Sequence, residues 1–419
     1  MKFCKTCLYP ENHPLGIIFD SSGQCSGCKV HVEKDQLDWP HRFEKLKKIT
    51  SSYKSSSRTI HDCIVPISGA RDSHFILHIV KNILGMKPLL VNYNIHYNTK
   101  MGIRNLAYLR SLVGADFMQM TVQPDKVKKI TLETIKTLGS IYWHILAGQT
   151  VFPVQIACKY KIPLIIWGAH QGIDQVGMFS HLDEVEMTRK YRKDHDLMGI
   201  EAEDFVNAEN NLDESDLYQY FYPNDAELAA VGVRGIYLNN FIRWDSRKQH
   251  EEMISMYDYH TNFQQRTFDN YNDVDSHHYS GIHDYIKLIK HGYGKVTDHA
   301  SREIRLNSMT RGKGLSLVKK HQDIYPSDAK LFCKWIDLPE EDFWNEIEKH
   351  RNQDLWTRTD EGEYTLKFSP FDTSQEKGLR NEPLDKNEQW EPFVINNSLK
   401  DTNHSEYILM GRGWTDKNR

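Results

Sequence analysis

The chain has 419 residues, of which 39% are hydrophobic and 26% charged, with a formal net charge of -4 at pH 7. This length exceeds that of one ordinary domain, so we expect two or three domains and a sizeable buried core. No apolar run is long enough to span a bilayer, and the lack of a basic excess disfavours a nucleic-acid partner. The first residues lack the apolar stretch of a signal peptide, which predicts a cytoplasmic protein whose seven cysteines stay reduced.

Four of the cysteines form two close pairs, Cys4-x2-Cys7 and Cys25-x2-Cys28. This spacing is typical of a zinc ribbon, because each pair can turn two thiolates toward one tetrahedral ion. Four protein ligands close the site, so the zinc is predicted to be structural rather than catalytic. A redox-active or merely buried set of thiols is the less favoured alternative. We predict a zinc-ribbon domain with its linker helix over residues 1–50.

The chain then reads as an α/β protein with a parallel sheet, since short apolar runs alternate with helical ones. An amphipathic helix is predicted over residues 39–49 and a polar linker over 51–57. Strands are predicted at residues 62–67, 88–93, 116–122 and 163–167, and helices at 73–84 and 280–291. Residues 177–275 are rich in charge and aromatics, which favours helices on the substrate side rather than more sheet.

A candidate phosphate loop connects the first predicted strand to the helix that follows it. Backbone N–H groups and a helix N-terminus at such a loop form an anion site. Gly69 leaves room for the backbone to approach a ligand, Ser68 and Ser73 add hydroxyl donors, and Asp72 can cap the helix and orient magnesium. The lysine-containing phosphate loop of the kinases does not occur in this sequence.

The loop sequence SGARDS resembles the Ser-Gly-Gly-x-Asp-Ser motif of the PP-loop ATP pyrophosphatases. Further resemblance lies in the amino-terminal cysteine pairs and in the strings TKMGIRNL from Thr99, IWG ending at Gly168, GMFS from Gly177 and GYGKVTDHASREIR from Gly292. Together these segments are similar to the N-acetyl sugar amidotransferases of bacterial lipopolysaccharide, O-antigen and flagellin-glycan biosynthesis. The resemblance covers roughly residues 1 to 350.

The resemblance implies a fold and a reaction. The fold is a parallel-sheet PP-loop ATP pyrophosphatase domain over residues 58–320, with a helical insertion at about 177–290 and a polar C-terminal extension over 321–419. The reaction transfers AMP from ATP to the acetamido oxygen of a nucleotide-linked or nonulosonic N-acetyl sugar. Ammonia then displaces AMP and leaves an acetamidino group. ATP and Mg²⁺ are implied in addition to the structural zinc.

The resemblance also implies site residues. Lys295 and Arg302 are candidates for stabilising the departing pyrophosphate, and Asp298 for holding magnesium together with Asp72. A helix cap with solvated charges is an equally favoured interpretation of the Lys295 to Arg302 segment. The residues implied in ATP binding are Ser68, Gly69, Ala70, Arg71, Asp72, Ser73 and Gly168.

Two positions depart from the family pattern. Ala70 replaces the second glycine of the motif, which would strain the loop if that position required a positive φ. Ala169 follows Gly168 where relatives are expected to carry an acidic residue, and Asp174 and Glu184 are the alternative sources of a carboxylate.

Ammonia is expected to come from another protein. A built-in glutaminase of the asparagine-synthetase type needs an N-terminal cysteine, and the first cysteine here, Cys4, is assigned to zinc. Cys63, Cys158 and Cys333 are predicted to be core residues. The resemblance implies a separate glutaminase and a cyclase-like subunit as partners, similar to the pair of histidine biosynthesis.

Other features keep two interpretations open. Residues 183–196 predict an exposed helix with a Glu186–Lys190 pair, or a clamp for a sugar nucleotide formed by Arg189 or Arg192. Trp244 is more often a core residue than a stacking platform, and His283 more often a surface or capping residue than a metal ligand. The rival functions are a tRNA-thiolating PP-loop enzyme and a non-catalytic adaptor.

Overall fold

A five-stranded parallel sheet lies at the centre of the computed structural model, which describes residues 1–56, 60–206 and 209–371. Its strands are β1 (Cys63–Pro66), β2 (Pro88–Tyr93), β3 (Asp116–Met120), β4 (Leu164–Trp167) and β5 (Arg234–Tyr237). Their order is β3-β2-β1-β4-β5, with Ile64 of β1 aligned with Leu89 of β2 and with Ile165 of β4. The sheet confirms the predicted α/β fold and the four predicted strands.

Helices cover both faces of the sheet. They are α1 (Ser26–Glu33), α2 (Trp39–Ser56), α3 (Arg71–Leu77), α4 (Lys100–Val113), α5 (Pro124–Leu138), α6 (Trp143–Tyr160), α7 (Gln171–Asp174), α8 (Arg189–Tyr191), α9 (Ala202–Val206), α10 (Glu214–Leu217), α11 (Asp225–Val231), α12 (Ser246–Tyr257), α13 (His277–His291), α14 (Lys295–Arg305), α15 (Arg311–His321), α16 (Ala329–Trp335) and α17 (Glu340–Glu348). A π-helical segment, His78–Ile83, continues α3. A short hairpin follows the helices, with strands β6 (Trp356–Arg358) and β7 (Tyr364–Leu366).

Alternation along β1 explains the two helical layers. Successive residues of a strand point to opposite faces of the sheet. Ile64 packs in a cluster with Val151 and Val154 of α6, whereas its neighbour Val65 packs in a cluster with Phe75 of α3. Because the strands are apolar on both faces, the sheet is buried between the layers, as parallel sheets require.

Three sequence predictions differ from the structure. Helix α2 continues to Ser56 instead of ending at residue 49, so residues 51–56 are helical rather than a linker, and Ser57 lies outside the described residues. Strand β5 lies in a region expected to add no sheet. The predicted helix at 183–196 is confirmed only from Arg189 onward, as α8 and a π-helical segment, Arg192–Asp196, because residues 184–188 are not helical. Glu186 instead accepts hydrogen bonds from the Arg234 Nε and Nη2 atoms at 3.0 and 2.7 Å, which ties this segment to β5.

The helices after α15 contribute to the main core. Phe332 of α16 and Phe343 and Ile347 of α17 are buried in one cluster with residues of α5 and α13. The domain boundaries remain predictions, and residues 372–419 of the predicted extension lie outside the described residues. Within the described ranges, the helices are too short or too polar to cross a membrane.

Candidate active site

The carboxyl ends of β1 and β4 meet where the chain changes its direction across the sheet. From β1 the chain runs outward through β2 to β3, and it then returns to the other side of β1 to form β4 and β5. Open parallel sheets bind ligands in the crevice outside the strand ends at such a point. A cavity of about 420 Å³ lies here, and its lining includes Arg71 and Asp72 after β1 and Ala169 and Gln171 after β4. We call it the first cavity.

The predicted phosphate loop has its left-handed residue at Gly69. The φ of Gly69 is 89°, and a Cβ atom there would lie 3.0 Å from the Leu106 Cβ atom and 3.1 Å from the Gly102 carbonyl oxygen. Ala70, at φ -76° and ψ 167°, has extended backbone that any residue can adopt. The strain considered for Ala70 is therefore absent, because the position does not need a positive φ.

The two serines hold the loop from within. The Ser73 hydroxyl accepts a hydrogen bond from the Ser68 N–H group at 2.9 Å, and the Ser68 hydroxyl accepts one from the Ala70 N–H group at 3.3 Å. Ser68 also hydrogen-bonds the Asp275 side chain. Both hydroxyls thus shape the loop.

Arg71 and Asp72, at the start of α3, have different environments. The buried Arg71 guanidinium donates to the Ser246 carbonyl oxygen at 2.6 Å and lies 5.3 Å from the centre of the Tyr271 ring, so it fastens the loop to α12. The Asp72 side chain is 41% exposed and lines the cavity, with the Arg71 Nε atom 3.3 Å from one of its oxygens. Asp72 is therefore the loop carboxylate that a bound cation can reach.

Helix α14 supplies one wall of the first cavity. Lys295, Asp298 and Arg302 are spaced by three and four residues, which places them on one helical face, and all three line the cavity. Lys287 of α13 lies beside them and forms an ion pair with Asp298. The structure thus brings the predicted residues Lys295, Asp298 and Arg302 to the same cavity as Asp72, and sequence reasoning missed Lys287.

Polar side chains of the preceding segment hold the two cationic residues of α14. Lys295 donates to the Gln264 side-chain oxygen at 2.9 Å and lies 3.2 Å from Asp273. Arg302 donates to Asp269 at 2.7 Å. Burial opposes the charged form of Asp269, but the charges of His299 and Arg302 outweigh it and hold the Asp269 pKa well below its usual range. The cations are therefore preorganised, because their side chains are held before any ligand arrives.

Asp275 lies under the phosphate loop. Burial, followed by the nearby charge of Asp273, raises the pKa of Asp275 to about 7. A Cβ atom on Gly102 would lie 2.5 Å from the Asp275 Cα atom, so the glycine of the TKMG string permits this close approach. The Thr99 N–H group donates to the Asp275 carbonyl oxygen at 3.0 Å. The TKMG segment thus supports the loop from behind.

The four amino-terminal cysteines converge on one point. All four Sγ atoms are buried and lie within 4.8 Å of one another, with 3.9 Å between Cys4 and Cys28 and 3.6 Å between Cys7 and Cys25. A tetrahedron with Zn–S bonds of 2.3 Å has sulfur atoms about 3.8 Å apart, so the cluster fits zinc. Burial opposes ionisation, but hydrogen bonds from the other thiols and the charge of Arg305 hold the Cys7 pKa well below its usual range.

The cysteine ribbon touches the first cavity. Tyr9 lines the cavity, and Lys34, just after α1, forms a buried ion pair with the cavity residue Asp174. Arg305 lines the cavity and lies 3.4 Å from the Cys25 Sγ atom, and it donates to the Gln175 carbonyl oxygen at 2.6 Å. The ribbon therefore forms part of the cavity wall.

The surroundings of Gly168 and Ala169 have structural explanations. Asp174 lines the first cavity near Ala169, whereas Glu184 pairs with Lys45. A Cβ atom on Gly168 would lie 3.0 Å from the Ile76 side chain and 3.3 Å from the Trp244 side chain, so close packing explains this glycine. Its part in ATP binding remains a prediction.

Trp244 and His283, for which the sequence left two interpretations open, each have both packing contacts and a place in the lining of the first cavity. Trp244 is 2% exposed and packs edge-on against Phe75, although it also lines the first cavity. His283 lines the cavity and stacks on Tyr142 at 4.4 Å, and the four cysteines form the metal-type cluster found among the described residues. The side chains of His277 and His278 lie outside the described residues. His283 and Lys287 are four residues apart on one predicted helix, a signal that could have placed both at the site.

Residues 265–369 match the family model described as LPS biosynthesis protein WbpG-like, C-terminal domain. Comparison with curated proteins gives no match. Among solved structures, the NH3-dependent NAD synthetase from Campylobacter jejuni subsp. jejuni NCTC 11168 has 14% identity over 34% of this chain and 62% of that chain, with a TM-score of 0.28. The NMN synthetase from Francisella tularensis has 11% identity over 51% of this chain and 96% of that chain, also with a TM-score of 0.28.

The chain thus spans less than two thirds of the NAD synthetase, and both structural likenesses are too weak to support an argument. The family match covers 105 of 419 residues, and half of the residues that line the first cavity lie within it. Residues 265–369 are therefore similar to the WbpG-like C-terminal domain, and this match supports, over that segment, the family resemblance that the sequence motifs indicate.

Proposed function

We propose that this protein is an ATP-dependent amidotransferase that converts the acetamido group of an N-acetylated sugar into an acetamidino group. The observation that carries the proposal is the composition of the first cavity. Its lining joins Asp72 of the phosphate loop to Lys287, Lys295 and Arg302 of the WbpG-like segment. A carboxylate together with several fixed cations suits a magnesium-bound polyphosphate.

The reaction proceeds in two displacements. The acetamido oxygen attacks the α-phosphorus of ATP, the bond to the β-phosphate breaks, and pyrophosphate leaves. Ammonia then adds to the activated carbon, AMP leaves with the former amide oxygen, and the added nitrogen loses its surplus protons. An amide carbon is a poor electrophile, and an amide has no good leaving group. Transfer of AMP to the amide oxygen makes the carbon more electrophilic and turns that oxygen into part of a good leaving group.

The residues of the first cavity have separate roles in this scheme. Lys295 and Arg302 stabilise the negative charge that develops on pyrophosphate, and their buried partners keep them in position. Asp72 would hold magnesium, which neutralises phosphate charge when it is bound. Asp298 is already paired with Lys287, so we assign it to positioning that lysine rather than to the metal.

Ammonia comes from a separate glutaminase in this proposal, with a cyclase-like subunit as a further partner. Cys63 and Cys333 are buried in core clusters, and burial raises the pKa of the Cys63 thiol. A buried thiol with a raised pKa is a poor nucleophile, which disfavours a glutaminase or sulfur-transfer role for these residues.

The test incubates the zinc-loaded protein with ATP, magnesium, ammonium and a panel of N-acetyl and diacetamido sugars. We expect AMP and a sugar product lighter by about one mass unit, because oxygen gives way to NH. Asp72→Asn should abolish AMP formation and leave the zinc content unchanged. Asp125→Asn is the matched control, because Asp125 is also the second residue of a helix, α5, and is exposed.

Two results would count against the proposal. If no sugar in the panel yields AMP with the wild-type protein, the assigned reaction fails. If Asp72→Asn turns over as fast as Asp125→Asn, the phosphate loop has no part in the reaction.

A further inference from the structure

A second, smaller cavity adjoins the first. It has a volume of about 190 Å³ and shares Ala169 and Gln171 with the first cavity. The remaining lining comes from the ends of β4 and β5 and from the segment around α8, and includes Trp167, Tyr237 and Asp196. The shared residues directly follow β4, so a molecule in the second cavity can extend one group into the first.

Some buried ring nitrogens of this second cavity lack a hydrogen-bond partner in the part of the chain that the structure describes. His170 is 1% exposed, and neither of its ring nitrogens has a hydrogen-bond partner among the described residues. The same holds for the buried Nε1 atom of Trp167 within the described ranges. An unpaired buried polar group costs about 1–3 kcal/mol. These atoms therefore indicate a polar ligand that pairs with them.

The charges of the second cavity differ from those of the first. Its one arginine, Arg192, is buried and donates to Glu201 and to the Thr150 hydroxyl, each at 2.8 Å, so its charge is already matched. Burial, only partly opposed by Arg192, raises the pKa of Asp196 to about 7. The lining of the first cavity includes five Lys and Arg side chains and five aspartates, which suits a magnesium-bound phosphate, whereas an uncharged polar group fits the second cavity.

Size and shape narrow the ligand further. The second cavity, at about 190 Å³, has less than half the volume of the first, at about 420 Å³, so it suits a single ring rather than the bulkier nucleotide. The Trp167 and Tyr237 rings lie 6.5 Å apart at 28°, and they offer apolar faces beside the polar groups. A sugar ring presents both kinds of surface, with C–H groups on its faces and hydroxyls at its edge.

We propose that the second cavity binds the sugar ring of the acceptor, with Asp196 and His170 hydrogen-bonding its hydroxyls and the aromatic rings packing against its face. The acetamido group then passes Ala169 and Gln171 to reach the phosphates in the first cavity. This inference rests on the proposed function and adds a site to it. Of the two arginines considered for a sugar clamp, Arg192 lines this cavity and Arg189 does not, although both pair with Glu201.

The experiment compares Asp196→Asn with Asp194→Asn, a matched change two residues away at a position that does not line the cavity. For Asp196→Asn we expect the acceptor KM to rise at least about tenfold, the loss of one hydrogen bond to an ionisable group, while the KM values for ATP and ammonium stay within about twofold. Unchanged ATP kinetics also show that the variant is folded. Asp194→Asn should match the wild type.

The inference is overturned if the ammonium KM alone rises, because the cavity then holds ammonia, or if the acceptor KM does not change. A binding measurement separates it from the proposed function. Saturation-transfer NMR with the methyl glycoside of N-acetylglucosamine and related N-acetyl monosaccharides needs no turnover. Binding to the wild type that Asp196→Asn loses supports the cavity even if no AMP is formed, and failure of every sugar to bind the wild type refutes it.

Discussion

Two single substitutions, Gly69→Ala and Ala70→Gly, give a stringent test of the phosphate loop. Gly69→Ala places a Cβ atom at a φ of 89° and within 3.1 Å of the Gly102 carbonyl oxygen. A side chain in left-handed backbone costs about 1–2 kcal/mol, and the crowding against α4 adds to it. We therefore expect the free energy of unfolding to fall by at least about 1–2 kcal/mol and AMP formation to be lost as the loop is displaced.

Ala70→Gly restores the family motif and should not help. Ala70 already has extended backbone, so glycine relieves no strain and only gives the unfolded chain more freedom, at a cost of about 0.4–1 kcal/mol. Urea unfolding by linear extrapolation measures both changes, and AMP release measures function. Faster AMP formation in Ala70→Gly, or a fully stable and active Gly69→Ala, would refute the loop geometry described above.

Two further predictions concern the ribbon and the carboxylate under the loop. Arg305→Met should weaken zinc affinity about 10- to 100-fold in a chelator competition, because the guanidinium lies 3.4 Å from the Cys25 thiolate, and unchanged affinity would exclude this role. The pKa of Asp275 is about 7 in the folded protein against an ordinary value of 3.8, so the folded state keeps a proton that the unfolded state has lost. Stability should therefore fall as pH rises from about 4 to 7, and thermal melts of Asp275→Asn should show a weaker fall over that range; parallel melting curves would contradict it.

The sequence predicts the parts of this fold that have local causes. The strands of the sheet centre are short, mostly apolar runs, and the cysteine pairs carry their spacing with them, so both were found from the chain alone. Strand β5 was missed because its four residues, Arg-Gly-Ile-Tyr, begin with a charged residue and a glycine and lie among charged and aromatic residues. Its pairing with β4 comes from tertiary packing, including the contact of Glu186 with Arg234.

In the candidate site, too, the features with local causes could be predicted and those that depend on tertiary contacts could not. The loop and the α14 face could be predicted, because each is a local string with a fixed periodicity. The partners that hold their side chains could not, because Gln264, Asp269 and Asp273 reach α14 from a segment without regular secondary structure. The second cavity was missed for the same reason, since its lining joins strand ends to a segment whose predicted helix is only partly confirmed.

The cysteine ribbon contacts the first cavity, so a structural metal in the ribbon would also affect the site. The segment around the four cysteines places Tyr9 in the lining of the first cavity and Lys34 against Asp174. Burial opposes the charged form of Asp174, but the charge of Lys34 outweighs it and lowers the pKa of that carboxyl group to about 2. The Asp174 side chain is 21% exposed, so this ion pair is only partly buried and lies at the cavity. A zinc ion held by the four cysteines would stiffen this segment and so fix one wall of the cavity, while its four protein ligands would leave no position for substrate.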